Sequence, residues 1–211
     1  MKYKNIVWDW NGTLLNDVEA GVNTLNDMLD RRGMQVLTAQ EYKDCFGFPV
    51  VDFYREVGFD FNRVSMHELS IDFVDTYAVY AGELDLNPQV TEVLEEVQQA
   101  GVQQYVLSAL REDLLQGMIL SFDIAQRFTQ VCGSDNIYAN EKVERGERMV
   151  EAYGIRPEET LMIGDTLHDA EVAEALGFHC LLYAGGHNSE WRLRERGTVI
   201  QNMRELVKYA L

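Results

Sequence analysis

The chain has 211 residues, 46% of them hydrophobic, with 18 lysines and arginines against 35 aspartates and glutamates and a net charge of -17. That length and apolar content suffice for one large domain, or a domain with a smaller insert, and exclude a disordered chain. The acidic excess excludes a nucleic-acid partner, and any attraction for an anionic substrate must be local, from a bound cation, a lysine and backbone N–H groups.

Ile6, Val7 and Trp8 make a short apolar run of the kind a buried parallel strand needs, broken abruptly by Asp9, Trp10, Asn11, Gly12 and Thr13. A carboxylate, a permissive glycine and a hydroxyl then sit at the carboxyl end of a strand, where open α/β sheets bind ligands. On this stretch alone, an Asn-Gly turn with Asp9 as a loop cap reads equally well. Asn16 or Asp17 can cap a helix through Val18, Val22, Leu25 and Leu29 to Gly33. Thr38–Glu41 reads as a capping box before a short helix, Pro49 opens another, and Ser65–Glu68 is a second box leading through Leu69, Phe73 and Tyr77.

At Asn87-Pro88 the pattern changes. A cap-and-proline start leads a helix through Val90, Leu94 and Val97 to Gly101, and strand 103–107 follows, ending on Ser108. Helix 114–120, strand 130–133, a loop holding Lys142, helix 143–153 and strand 160–163 come next, the last ending in Gly164-Asp165. Helix 169–176, strand 179–183, a helix near Glu190, strand 199–200 and a final helix close the chain. The alternation predicts a doubly wound, Rossmann-like α/β parallel sheet core with an inserted all-helical cap. Residues 1–15 and 83–211 form the expected core and residues 16–82 the cap.

Cys45, Cys132 and Cys180 stand in no CxxC spacing, which suggests neither a disulfide framework nor a zinc site and fits a reducing cytoplasm. The opening apolar run is too brief for a signal peptide's core, and no window approaches the ~18 apolar residues of a membrane span, so no membrane partner is expected.

Ser108 in YVLS, Lys142 in NEKVERG, and Asp165 and Asp169 in MIGDTLHDA repeat the first site's pattern, a polar residue at or just past an apolar strand. In order and context these motifs resemble those of the haloacid dehalogenase-like hydrolase superfamily, with an insert similar to the cap of its phosphoglycolate phosphatase-like branch. The resemblance implies a Mg²⁺-dependent phosphatase for a small phosphorylated substrate, with Asp9 forming an aspartyl-phosphate. It implies metal ligation by Asp9, the main-chain carbonyl of Asn11, Asp165 and Asp169. Lys142 is expected to hold Asp9 and the transferring group together, and Ser108, Thr13 and the N–H groups of Gly12 and Ala109 to bond phosphoryl oxygens, with His168 or His187 near the substrate.

One position departs from the pattern. The family's phosphatases carry a second Asp two residues after the nucleophile as general acid and base, and this chain has Asn11. An amide donates a hydrogen bond but cannot hand over a proton, a function worth ~10² to 10⁴ in rate. Three readings follow: a phosphatase favouring leaving groups that need little protonation, or borrowing a proton from a histidine; a dehalogenase or phosphonatase; and a silent member that binds a phosphorylated ligand. The Schiff-base lysine of a phosphonatase is not assigned to Lys43, the only cap lysine, and the Gly-Asp-x-x-x-Asp motif argues for Mg²⁺, which dehalogenases do not need. Arg55, Arg63 and Arg111 are conceivable anion contacts.

Overall fold

The computed structural model describes residues 2–138 and 141–211, with Glu83 described by its backbone alone. Asn140, in the segment quoted around Lys142, lies outside the described residues. A six-stranded parallel sheet organises the molecule. Its first strand, β1 (Asn5–Trp8), is buried at all four residues because it lies between two others. After the ribbon strand β2 (Leu15–Asn16) come four helices, α1 (Val18–Asp30), α2 (Ala39–Cys45), α3 (Val50–Glu56) and α4 (Met66–Tyr80), and the second ribbon strand β3 (Asp85–Leu86). The remainder is α5 (Val90–Gln99), β4 (Gln103–Arg111), α6 (Glu112–Ser121), β5 (Gln130–Ser134), α7 (Lys142–Tyr153), β6 (Thr160–Gly164), α8 (Leu167–Leu176), β7 (His179–Tyr183), α9 (Glu190–Arg194), β8 (Thr198–Ile200) and α10 (Arg204–Ala210).

The sheet order is β5-β4-β1-β6-β7-β8. The chain builds outward from β1 on one side, then crosses to build outward on the other, so β1 sits at the topological switch point where such sheets bind ligands. Register fixes what meets there: Trp8 pairs with Val106 and with Ile163, so Asp9, Ser108 and Asp165 emerge from neighbouring carboxyl ends. Side chains alternate across the strand. Ile6 and Trp8 join Val93, Leu94, Leu115 and Leu206 on one face, and Val7 joins Met149, Met162 and Val172 on the other.

The four inserted helices have their own apolar core, including Leu25, Leu29, Tyr42, Phe53, Tyr54 and Leu69. The capping boxes at Thr38 and Ser65 form as their spacing predicts, each hydroxyl accepting the N–H three residues on. Four local expectations change. Lys142 is the first residue of α7, not a loop residue, because Glu141 takes a left-handed turn before it (φ 60°). β4 runs past Leu107 to Arg111, its pairing to β5 irregular over that stretch. The pair Leu15–Leu86 closes a short antiparallel ribbon at the base of the insert. Asn87 caps no helix: α5 begins after Gln89, and the Asn87 amide is spent elsewhere.

Candidate active site

Five residues after β1 make a tight turn. The N–H groups of Leu14 and Leu15 both donate to the Trp10 carbonyl, at 2.9 and 2.8 Å. Gly12 lies at φ 71°, and a Cβ there would overlap the Asp165 carboxylate, so both conformation and space require glycine. The buried Asn87 Nδ2 braces the turn from outside, donating to the carbonyls of Gly12, Thr13 and Leu15 at 3.1, 2.8 and 3.3 Å.

Around this turn the structure brings together four charged side chains, all buried. Lys142 Nζ donates to Asp9 Oδ1 and to Asp169 Oδ1, each at 2.6 Å. Asp169 is third in α8, and its Oδ2 accepts from Thr166 Oγ1 at 2.7 Å and Thr166 N at 3.0 Å, a capping box that aims the other oxygen at Lys142. Asp165 is held by Thr13 Oγ1 at 2.7 Å and by the His187 N–H at 2.6 Å. Asp9, Asp165 and Asp169 offer oxygens within 4.8 Å of one another.

One ammonium among three carboxylates leaves the cluster short of positive charge. Burial pushes the Asp9 carboxyl well above its ordinary range; Lys142 opposes this, and Asp169 and Asp165 add to it. Burial likewise raises Asp165 to about 6, against the pull of His187. Asp169 goes the other way: burial would raise it, but Lys142 and Thr166 hold it low. Lys142 itself, in spite of burial, is kept protonated by Asp169 and Asp9. Three hard oxygen donors with unmet negative charge fit a divalent cation.

A second buried network adjoins the first and was not foreseen. Asp17, read from the sequence as a helix cap, makes no capping bond. Its Oδ1 accepts from the Gly12 N–H at 2.6 Å and lies 3.1 Å from His187 Nε2, while its Oδ2 accepts from Asn11 Nδ2 and Tyr77 OH, each at 2.7 Å. His187 Nδ1 lies 3.0 Å from Tyr42 OH. Burial would lower His187, but the Asp17 carboxylate raises it to about 9, and Asp17 is held low in return. Thus the amide of Asn11, the N–H of Gly12 and the hydroxyl of Thr13 all bond protein carboxylates. The only sequence signal for Asp17 was an acid beside the turn; nothing marked Tyr42 or Tyr77, whose spacing is that of ordinary helix core.

Asp9, Asn11, Ser108, Ala109, Lys142, Asp169, His168 and His187 line one cavity of about 410 Å³ between sheet and insert. Ser108 is buried there, its Oγ accepting from Leu110 N at 3.1 Å. His168 stacks on Phe48, ring centres 4.8 Å apart, with Glu171 3.5 Å from its Nδ1. Arg111 also lines the cavity but is held by Asp113. Arg55 and Arg63 lie exposed, paired with Asp52 and Asp60. Lys43 borders a different cleft, with Gln40, Trp191 and Arg194. Among the described residues no helix is long and apolar enough to cross a membrane.

Likeness to known proteins agrees with this geometry. A phosphoglycolate phosphatase 1 of Pseudomonas aeruginosa is 24% identical over 142 residues, 65% of this chain; the match spans about half of that relative, 52%. A 5'-nucleotidase of the same organism is 25% identical over 197 residues, covering 92% of this chain and 88% of its own. Among solved structures, a haloacid dehalogenase-like hydrolase from Streptococcus pneumoniae superposes with a TM-score of 0.86 at 20% identity, over 100% of this chain and 99% of that one. Protein tyrosine kinase A of Mycobacterium tuberculosis superposes with a TM-score of 0.80 at 19% identity, over 99% and 98% of the two chains. At such identities the superpositions establish the fold, and a fold shared by a hydrolase and a protein named as a kinase does not assign chemistry. The sequence profile of the haloacid dehalogenase-like hydrolases, however, matches residues 6–183, and the chain belongs to that family.

Proposed function

We propose that the protein is a Mg²⁺-dependent phosphatase of a small phosphorylated substrate, working through an aspartyl-phosphate on Asp9. Residues 1–15 and 83–211 are the catalytic core, and residues 16–82 a cap that closes over the substrate. The observation that carries the reading is Lys142 Nζ at 2.6 Å from both Asp9 and Asp169, beside Asp165 and at the floor of a cavity. A nucleophilic carboxylate facing an anion needs such a neighbour.

Asp9, Asp165, Asp169 and the Asn11 main-chain carbonyl would hold the Mg²⁺. When bound, it offsets the repulsion between Asp9 and the phosphoryl oxygens. With Oδ1 held by Lys142, the other oxygen of Asp9 attacks phosphorus, and Lys142, Ser108 and the Ala109 N–H bond the phosphoryl oxygens. Water then cleaves the acyl phosphate and restores Asp9. Asn11 can donate no proton to the leaving oxygen, so turnover depends on how good a leaving group the substrate supplies.

The test is a screen of phosphate esters, acyl phosphates and pyrophosphate with and without Mg²⁺, run beside Asp9→Asn. Turnover lost on chelation and in the variant, with a phosphoryl mass on Asp9 after acid quench, supports the reading. Turnover that survives Asp9→Asn overturns it. A second reading rests on Asn11 being committed to Asp17: a silent member that binds a phosphorylated ligand. It requires a blank screen together with a ligand-induced rise in melting temperature.

A further inference from the structure

Apart from Asp17 at its base, the wall that the insert gives to the cavity is uncharged. Among the described lining residues from α1 to α4 and their connections none carries a charge, and aromatic rings dominate. Phe46 stacks on Tyr42 with centres 5.1 Å apart and meets Phe53 edge-on at 5.1 Å and Phe48 at 5.6 Å; Phe73 stacks on Tyr77 at 5.7 Å. Such rings accept another ring in offset or edge-on contact. Core-side Leu114 and Met118 extend the apolar lining, and about 410 Å³ is within the range of small-molecule sites, ~300–1,000 Å³.

A carboxylate or sugar as leaving group would meet no cation on the cap side, and its desolvated polar groups would be left largely unpaired. Arg111 is already spent on Asp113, at 2.5 and 2.9 Å. The opposite, phosphoryl end of the cavity offers Asn11 where an acid would be needed to expel an alkoxide. A phenol ionises near pH 10, as tyrosine does, some six units below water, and its anion leaves without a proton donor.

We propose that the substrate class is an aryl phosphate monoester, its ring seated among Phe46, Phe48, Phe53 and Phe73 and its phosphoryl group on Asp9; this rests on the phosphatase reading. Asp9 forms a bond to phosphorus as the phosphorus–oxygen bond to the ring breaks, and the electron pair departs on the phenolate, which takes a proton from solvent. Water next attacks phosphorus, the bond to Asp9 breaks, and inorganic phosphate and a proton are released. Ser70 Oγ, buried and without a hydrogen-bond partner on the same wall, is placed to meet a polar substituent on the ring.

The test uses phosphonates, which are not hydrolysed, and so separates the pocket from the chemistry. With Mg²⁺ present, 2-naphthylmethylphosphonate binds the wild-type protein roughly 30-fold more tightly than methylphosphonate by calorimetry. Phe48→Ala and Val74→Asn, both at half-buried wall positions, reduce the ratio of the two affinities roughly tenfold, and methylphosphonate that still binds both variants reports that the site is folded. In turnover, kcat/KM for 2-naphthyl phosphate exceeds that for phosphoglycolate. Equal affinity for the two phosphonates, or faster turnover of phosphoglycolate, overturns the aryl assignment and leaves the phosphatase reading in place. Tight naphthyl binding with no turnover of any ester keeps the aryl pocket and removes the phosphatase. If neither phosphonate binds and no ester is hydrolysed, both fall.

Discussion

Replacing Asn11 by Asp tests the missing acid directly, and the structure says what that substitution meets. Asn11 Nδ2 is a donor at 2.7 Å to Asp17 Oδ2. Asn11→Asp sets a carboxyl against a carboxylate at that separation, where two charges cannot both persist in a buried site. Asp17 keeps its charge through the Gly12 N–H, Tyr77 and His187, so the proton resides on the new group. The variant therefore carries a protonated carboxylic acid at neutral pH, the form a general acid needs. For alkyl phosphates the expected gain in kcat is ~10² to 10⁴-fold, and for aryl phosphates little, because phenolate departs unaided. Steady-state kinetics on an alkyl and an aryl ester, with Mg²⁺ between pH 5 and 8, measure both. No gain on the alkyl ester at any of those pH values, in a variant that still turns over the aryl ester, refutes the assignment of Asn11 as the rate-limiting departure.

Asp9→Asn abolishes turnover while keeping or raising the melting temperature in EDTA, because it removes a carboxylate whose charge burial disfavours and, in spite of Lys142, Asp169 and Asp165 oppose; a marked loss of stability argues that the Lys142 pairing outweighs those costs. Lys142→Met loses activity and about 3–5 kcal/mol of stability in metal-free buffer, since Asp9 and Asp169 are left facing each other unpaired; urea unfolding reads the change. His187, raised from an ordinary value of 6.5 to about 9, contributes stability that is complete below about pH 6.5 and is lost as pH rises through about 9. Its contribution is about 3 kcal/mol, so His187→Gln lowers the melting temperature by roughly 6–12 °C at pH 6 and much less at pH 10; an equal deficit at both would sink the pairing with Asp17.

The parallel sheet was legible because β1 and β6 are short continuous apolar runs, a signature of strands covered on both faces. The helical insert was legible from its capping boxes, whose chemistry is local and so survives any tertiary context. What escaped is what depends on contacts distant in sequence. Asp17 has the composition of an N-cap, and only the approach of Tyr77, 60 residues later, and His187, 170 residues later, makes it the centre of a buried network. Lys142 was marked by its place in the order of motifs, but its bond to Asp169 was not, because that contact exists only once β6 and α8 carry Asp169 to it, 27 residues on.

The same network ties the insert to the sheet. Tyr77 on α4 and Tyr42 on α2 reach Asp17 and His187 beneath them, and the loop after β7 together with α9 holds the end of α2 by its backbone: Asn188 Nδ2 donates to the Phe46 carbonyl at 2.8 Å, Arg192 on α9 to those of Lys43 and Phe46 at 3.0 and 2.8 Å. Any opening wide enough to admit substrate has to release some of these bonds. Those to α2 and to α4 are unequal in number: α2 is held by the Arg192 guanidinium, the Asn188 amide and the Tyr42–His187 contact, and α4 by the one phenol bonded to the Asp17 carboxylate. Because Asn11 shares Asp17 with Tyr77, a swing of α4 leaves the turn's amide with the carboxylate and strips the phenol from it. Thus the carboxylate that holds the side chain at position 11 also ties α4 to the turn, and a substitution of Asp17 removes both contacts together.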